Sequence, residues 1–264
     1  METQNFTFKK RLKSMLAVDF RRMLTSPFFY IMMGISLVIP ILIFVMTTMM
    51  DGSVTTNPQT GATTVMEGFK NVWQIIGTAS SENASMQMDI VGMCNINMIF
   101  FLIAVFVCVF VADDFRSGYT KNLFTVRSKK TDYVISKSVV GFVAGAGMLV
   151  TFFIGAMLGG AMAGLPFTTT NVAGIVMCML SKIFLVAIFV SIYLLASVFA
   201  KQKLWLSILL SLGIGMLFFT MVPMITPLDA NFINVLLCCV GGGLFAFGFG
   251  ALSNLVLNKT DLLR

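Results

Sequence analysis

SVVGFVAGAGMLVTFFIGAMLGGAMAGLPFTTTNVAGIVMCMLS, running from Ser138 to Ser181, carries no Asp, Glu, Lys or Arg until Lys182. One membrane crossing takes about 20 mainly apolar residues, so this run is too long for one helix and must be divided. The divider is GLPFTTTN, Gly164 to Asn171, whose Gly, Pro and three Thr are turn signals. One span therefore ends near Gly164, and the next runs from Val172 to Ala200.

Working outward from that hairpin, the charge-free stretches Pro27 to Met50 and Ile90 to Ala112 supply two earlier spans. Leu204 to Thr226 and Phe232 to Leu257 supply two later ones, parted by the helix-stopping pair Pro223 and Pro227. The expectation is an all-α integral membrane protein of six spans, approximately 27–50, 90–112, 138–164, 172–200, 204–226 and 232–257, in a single transmembrane domain over residues 1–264. Composition agrees: of 264 residues 58% are hydrophobic and 11% charged, with mean hydropathy +0.93, which leaves too little polar surface for a soluble enzyme. Histidine is absent, which removes an imidazole base, a His-bound metal and Ser-His or Cys-His nucleophiles. Cys94, Cys108, Cys178, Cys238 and Cys239 lie in apolar runs without CxxC spacing and read as buried apolar residues, so no metal site is expected.

Orientation follows from the cations. Sixteen of the eighteen Lys and Arg precede span one, lie between spans two and three, or follow spans four and six, leaving Lys70 and Lys182 apart. The basic side faces the cytoplasm by the positive-inside rule, with both termini there and anionic headgroups, not nucleic acid, facing the cations. The amino-terminal segment lacks a cleavage site after its apolar run, so span one is expected to stay in the chain.

Phe8, Leu12, Met15, Leu16, Phe20 and Met23 recur at helical spacing and mark an interfacial amphipathic helix within residues 1–26. A basic topogenic tail is the alternative. Ser26 and Pro27 form an N-cap and first-turn pair that starts span one. Asp19 sits among the apolar residues of that segment, and a local ion pair with Arg22 accounts for it; a contact with another protein is the other reading. In the outer loop, 51–89, Val65, Met66, Phe69, Val72, Trp73 and Ile76 suggest a short helix with Trp73 at the interface. Asn83-Ala84-Ser85 matches a glycosylation triplet and carries no weight.

The segment DDFRSGYTKNLFTVRSKKTDYVISK, Asp113 to Lys137, mixes charge with aromatic and aliphatic anchors. Gly118 can end the helix of span two and let a short helix begin near Tyr119, with Lys121 and Arg127 free for acidic partner groups. The segment reads as a protein-contact loop; an interfacial loop touching only lipid is the alternative. Gly141 and Gly145, Gly155 and Gly159, and Gly160 and Gly164 have the four-residue spacing of close helix packing or dimerisation. No Gly is followed by Lys, so a P-loop is excluded and the chain itself is not expected to hydrolyse ATP.

On the basic segment leading to RRMLTSPFFYI (Arg21 to Ile31), the run DDFRSGYTKN with the basic residues and YVISK after it, and six spans with a large first outer loop, the chain resembles the permease subunits of ABC type-2 exporters, in particular the small six-span bacterial branch with a separate ATPase chain. The resemblance implies that the amino-terminal helix is the family's surface elbow. It implies further that Tyr119, Thr120, Lys121, Asn122, Leu123 and Phe124, with Arg127 nearby, form a cytoplasmic coupling helix seated on the ATPase. It implies a non-catalytic, multi-pass chain of the bacterial plasma membrane, partnered by an ABC ATPase that carries ATP and Mg and by a second permease subunit, identical or paralogous. An amphipathic peptide, drug or lipid-like cargo suits the Phe- and Met-rich spans. The rival class is an ATP-independent channel or secondary transporter, or a membrane scaffold or immunity protein. The connection between spans five and six is shorter than in larger members of the family.

Lys182 is the one cation well inside an apolar region, about 15 Å past Val172 at the usual helical rise. It is a candidate for a polar cavity or helix interface, with Asp89, Asn95 or Asn97 as partners. The alternative places it at the outer edge of a shorter span, its stem snorkelling to water.

Overall fold

The computed structural model describes residues 8–56, 63–65, 68–77, 95–126, 130–169, 171–219 and 221–259. Within them the chain is a helical membrane bundle: α1 (Phe8–Thr25), α2 (Pro27–Met50), α3 (Ile99–Arg116), α4 (Tyr119–Val126), α5 (Lys130–Met162), α6 (Val172–Ala200), α7 (Leu204–Phe219), α8 (Val222–Ile225) and α9 (Phe232–Lys259). Five of these, α2, α3 with its preceding turn, α5, α6 and α9, are long and apolar enough to cross a membrane, and α7 is a shorter apolar helix. Val54–Thr56 (β1) and Thr63–Val65 (β2) add a small antiparallel ribbon at the end opposite the basic residues. Asp89, Cys94, Arg127 and the Asn83 triplet lie outside the described residues.

Helix α1 presents one stripe inward, Met15, Asp19 and Met23, each separated by four residues and buried. Ser26 then adopts an extended backbone and Pro27 opens α2, so the chain turns from one helix straight into the next. The core is built around α5 and α6, the helices with the longest runs of buried residues. The glycines of α5 set how closely its neighbours approach. A Cβ on Gly155 would overlap the Leu37 carbonyl oxygen, and one on Gly145 would lie 2.6 Å from a Val186 methyl carbon. Both contacts are within the chain, so these spacings pack α5 on α2 and α6, and need no second copy to explain them. A hydroxyl and thiol string, Ser207 to Ser197 at 2.8 Å and Ser211 to Cys108 at 3.1 Å, joins α7 to α6 and α3.

Several boundaries differ from the sequence reading for local reasons. Among the described residues the helix of span two begins at Ile99, where Asn95 caps a 3-10 turn, Ile96–Met98, by accepting a hydrogen bond from the Asn97 N–H; the expected start at Ile90 lies outside the described residues. The helix of span three starts at Lys130, eight residues before the apolar run. Asp132, Tyr133, Ser136 and Lys137 are buried along this extension. Span five is helical only over 16 residues, about 24 Å, shorter than a hydrocarbon core of about 30 Å. Pro223 then sits in the first turn of α8. The helix expected around Trp73 is a 3-10 turn, Val72–Ile75, with Asn71 and Gln74 forming a capping box. Val72 and Ile75 are buried and the Trp73 ring packs against Phe153 and Phe167, so the turn plugs the bundle end and does not lie on its surface. Cys239 is exposed, against the expectation for all five cysteines, whereas Cys108, Cys178 and Cys238 are buried.

Candidate functional site

Gly118, at φ +72°, closes α3 and redirects the chain into α4, a conformation that favours glycine. Helix α4 is fastened to the bundle on one side and open on the other. Thr120 is buried and its hydroxyl donates to the Asp114 carbonyl at 3.1 Å; the Phe124 ring meets Tyr133 edge-on at 5.6 Å between centroids. Tyr119 offers its ring face to the Arg22 guanidinium at 4.4 Å. Leu123 is half-buried, while Lys121, Asn122 and Thr125 face outward. The six sequence-predicted residues of this helix thus divide into a seat, Tyr119, Thr120, Leu123 and Phe124, and a presented edge, Lys121 and Asn122.

Beneath the seat lies a buried charge cluster. The Lys137 ammonium bonds the Asp19 carboxylate at 2.9 Å and the Asp114 carboxylate at 2.7 Å. Arg22 bonds Asp114 at 2.5 Å, the Tyr133 hydroxyl donates to Asp114 at 3.0 Å and the Ser136 hydroxyl donates to Asp19 at 2.6 Å. Phe110 adds its ring face 4.0 Å from the Lys137 ammonium. Two cations and two carboxylates balance, and each carboxylate also accepts a hydroxyl hydrogen bond, which is how buried charge becomes tolerable. Burial works against the charge on Arg22, but Asp114 outweighs it and the guanidinium is held above its ordinary pKa.

The cluster draws on four elements: α1 through Asp19 and Arg22, α3 through Asp114, α4 through Tyr119 and α5 through Tyr133, Ser136 and Lys137. Arg11 adds a second tie from α1 to α5, bonding Asp132 at 2.9 Å. The expected local Asp19–Arg22 pair is present, but it is the weaker part of what holds Asp19. Those two groups stand 4.0 Å apart, and the shorter bonds of Asp19 run to residues of α5. The signal available in the sequence was the position of Asp19 between Met15 and Met23 on the inward stripe, where a carboxylate requires a partner from another element. Asp114, Tyr133, Ser136 and Lys137 went unread as a group because nothing local connects them.

At the other end, Lys182 is fully buried and its ammonium donates to Asn97 Oδ1 at 2.7 Å and to Thr226 Oγ1 at 2.8 Å. Asn95 is buried one turn before α3 and serves there as the cap. Thr226 was not anticipated; it belongs to the connection after α8, and the Cys178 thiol contacts its carbonyl at 3.5 Å. Lys182 does not snorkel. No group of three or more His, Cys, Asp or Glu able to hold a metal occurs among the described residues.

A family model described as ABC-2 family transporter protein matches residues 16–218, from α1 into α7. The chain belongs to the ABC-2 transporter family. No curated protein and no solved structure matches it. As an ABC-2 family member it is a multi-pass permease component of an ABC transporter, a class that is generally non-catalytic and works with an ABC ATPase at the membrane. The match takes in the whole charge cluster and both Asn97 and Lys182, and stops before Thr226 and α9.

Proposed function

We propose that this ABC-2 chain forms the translocation pathway of an ATP-driven bacterial exporter, paired with a second permease subunit, with its basic end cytoplasmic and α4 as the contact for the ATPase. The observation that carries this reading is the seating of α4: one edge is fixed to a charge cluster shared by α1, α3 and α5, and the other presents Lys121, Asn122 and Thr125 outward. A force on α4 is thereby delivered to three helices at once. Nucleotide can shift the pathway only if the docked ATPase differs in free energy between its states, which requires a stiff connection of this kind. The bundle's apolar exterior suits an amphipathic or lipid-like cargo.

The test is purification of the tagged chain in mild detergent, identification of co-purifying proteins, and ATPase assay of the same sample, followed by crosslinking through Asn122→Cys. A Walker-motif subunit captured by the introduced thiol and active in hydrolysis supports the proposal. A solitary chain, reproduced after crosslinking in native membranes, overturns it in favour of an ATP-independent transporter or scaffold.

A further inference from the structure

Lys182 joins three elements that no other charged residue connects among the described residues: the turn that begins α3, the middle of α6, and the connection from α8 to α9. On two of the three sides the backbone is irregular. Asn97 stands in a 3-10 turn and Thr226 follows the four-residue helix α8. Irregular backbone at membrane depth persists only where protein or an internal cavity surrounds it, and membrane transporters place their moving parts at such interruptions. The ammonium is sealed, with both its partners neutral oxygens, and Thr226 passes its own hydroxyl hydrogen to the Val222 carbonyl at 2.8 Å. A hydrocarbon side chain would fill this site without the cost of burying a cation, so the charge calls for an explanation beyond packing.

We propose that Lys182, Asn97 and Thr226 form an outer latch: a positioning residue with two acceptors that holds α3, α6 and the α8–α9 connection together while the pathway is closed outward, and that parts once in each transport cycle. The proposal rests on the exporter reading, which makes this the outer end. It adds the residues that close that end. Both acceptors of Lys182 are neutral, so parting the tie strands no carboxylate, and the freed ammonium is met by water admitted as the interface opens. That distinguishes it from the cluster at the basic end, whose carboxylates would be stranded by separation.

The Cys178 thiol beside Thr226 supplies the test. In the complex of the chain with its co-purified ATPase, reconstituted in proteoliposomes, Thr226→Cys introduces a second thiol at the residue whose backbone carbonyl the Cys178 thiol contacts. Oxidation to a disulfide between Cys178 and the introduced thiol, verified by mass spectrometry, is expected to reduce ATP turnover at least tenfold, with dithiothreitol restoring it. Turnover unchanged in the tethered complex overturns the latch. If Thr226→Cys fails to assemble, Lys182→Met and Lys182→Arg replace it. Each charge-assisted bond is worth about 10–100-fold in the closed-to-open balance, and Lys182→Met removes two. Lys182→Met is therefore expected to raise cargo-free ATP turnover and the thiol reactivity of Cys178, and Lys182→Arg to stay near wild type. Wild-type values of both readouts in Lys182→Met overturn the proposal. A wild-type complex without ATP hydrolysis defeats the exporter reading first, and the latch with it.

Discussion

Replacing Lys137 by Met removes the ammonium that bonds both buried carboxylates, Asp19 at 2.9 Å and Asp114 at 2.7 Å, and leaves their hydroxyl donors in place. Asp114 still has Arg22, but Asp19 retains only the Ser136 hydroxyl and an Arg22 nitrogen at 4.0 Å. Breaking one side of a buried pair costs about 3–5 kcal/mol, because the remaining charge is left without compensation. At 1.4 kcal/mol per tenfold, that is roughly two to three and a half orders of magnitude in the folding equilibrium. Asp19→Asn alone should cost less, about 1.5–3 kcal/mol for a hydrogen bond to a charged group. The double variant should be no less stable than Lys137→Met, since a neutral amide in place of the Asp19 carboxylate no longer needs the missing ammonium, and the two losses should fail to add by about 1.5–3 kcal/mol. Reversible unfolding in mixed micelles by dodecyl sulfate titration, with all four chains in the same detergent, measures this cycle. A loss below about 1 kcal/mol for Lys137→Met, or strictly additive losses, would refute the claim that the cluster is a coupled unit.

Tyr119→Ala removes the ring facing Arg22 and Phe124→Asp places a carboxylate against Tyr133; in the reconstituted complex both are expected to lower transport-coupled ATP turnover while the purified ATPase alone keeps its activity. Unchanged turnover would separate α4 from coupling. Gly155→Ala drives a Cβ into the Leu37 carbonyl oxygen, whereas Gly243→Ala meets nothing within 4 Å. The first should cost about 1–3 kcal/mol by overpacking and the second almost nothing, read in the same titration. Asn71→Ala deletes the cap of the turn carrying Val72 and the bond to the Thr168 carbonyl, and should cost about 1 kcal/mol without changing the fold by circular dichroism.

Where a structural decision is local, the sequence carries it. The bounds of α6 follow from the turn signals before Val172 and the charge after Ala200. The start of α4 follows from Gly118, and the start of α2 from Ser26 and Pro27. Each is settled by residues within one helical turn. The cluster is different. Lys137 reads as one more topogenic cation because its partners Asp19 and Asp114 lie on other helices, and periodicity says nothing about which stripe meets which. Lys182 is legible because its own surroundings are apolar, and Asn97 is a polar residue at the start of the neighbouring span. Reading span five as one helix does not expose Thr226, which lies past the end of α7 at Phe219 and after the short helix α8, beside Cys178. The helix expected around Trp73 failed for a related reason: apolar spacing recorded burial correctly but not the three-residue winding that Asn71 and Gln74 impose.

The separation of the cluster's members along the chain has a consequence for biosynthesis. Asp19 leaves the ribosome 118 residues ahead of Lys137, an interval of roughly 6–24 s at about 5–20 residues per second. Throughout it the first helix has its carboxylate on an apolar stripe with no ammonium to receive it, even after two spans have been threaded into the bilayer. Emergence of the third span ends that wait, and brings Ser136 with Lys137 in the same turn. A nascent chain stalled before this point can already set Asp114 on Arg22, but Asp19 has only its 4.0 Å approach to the same guanidinium, so closure of the cluster waits on the helix that carries Lys137.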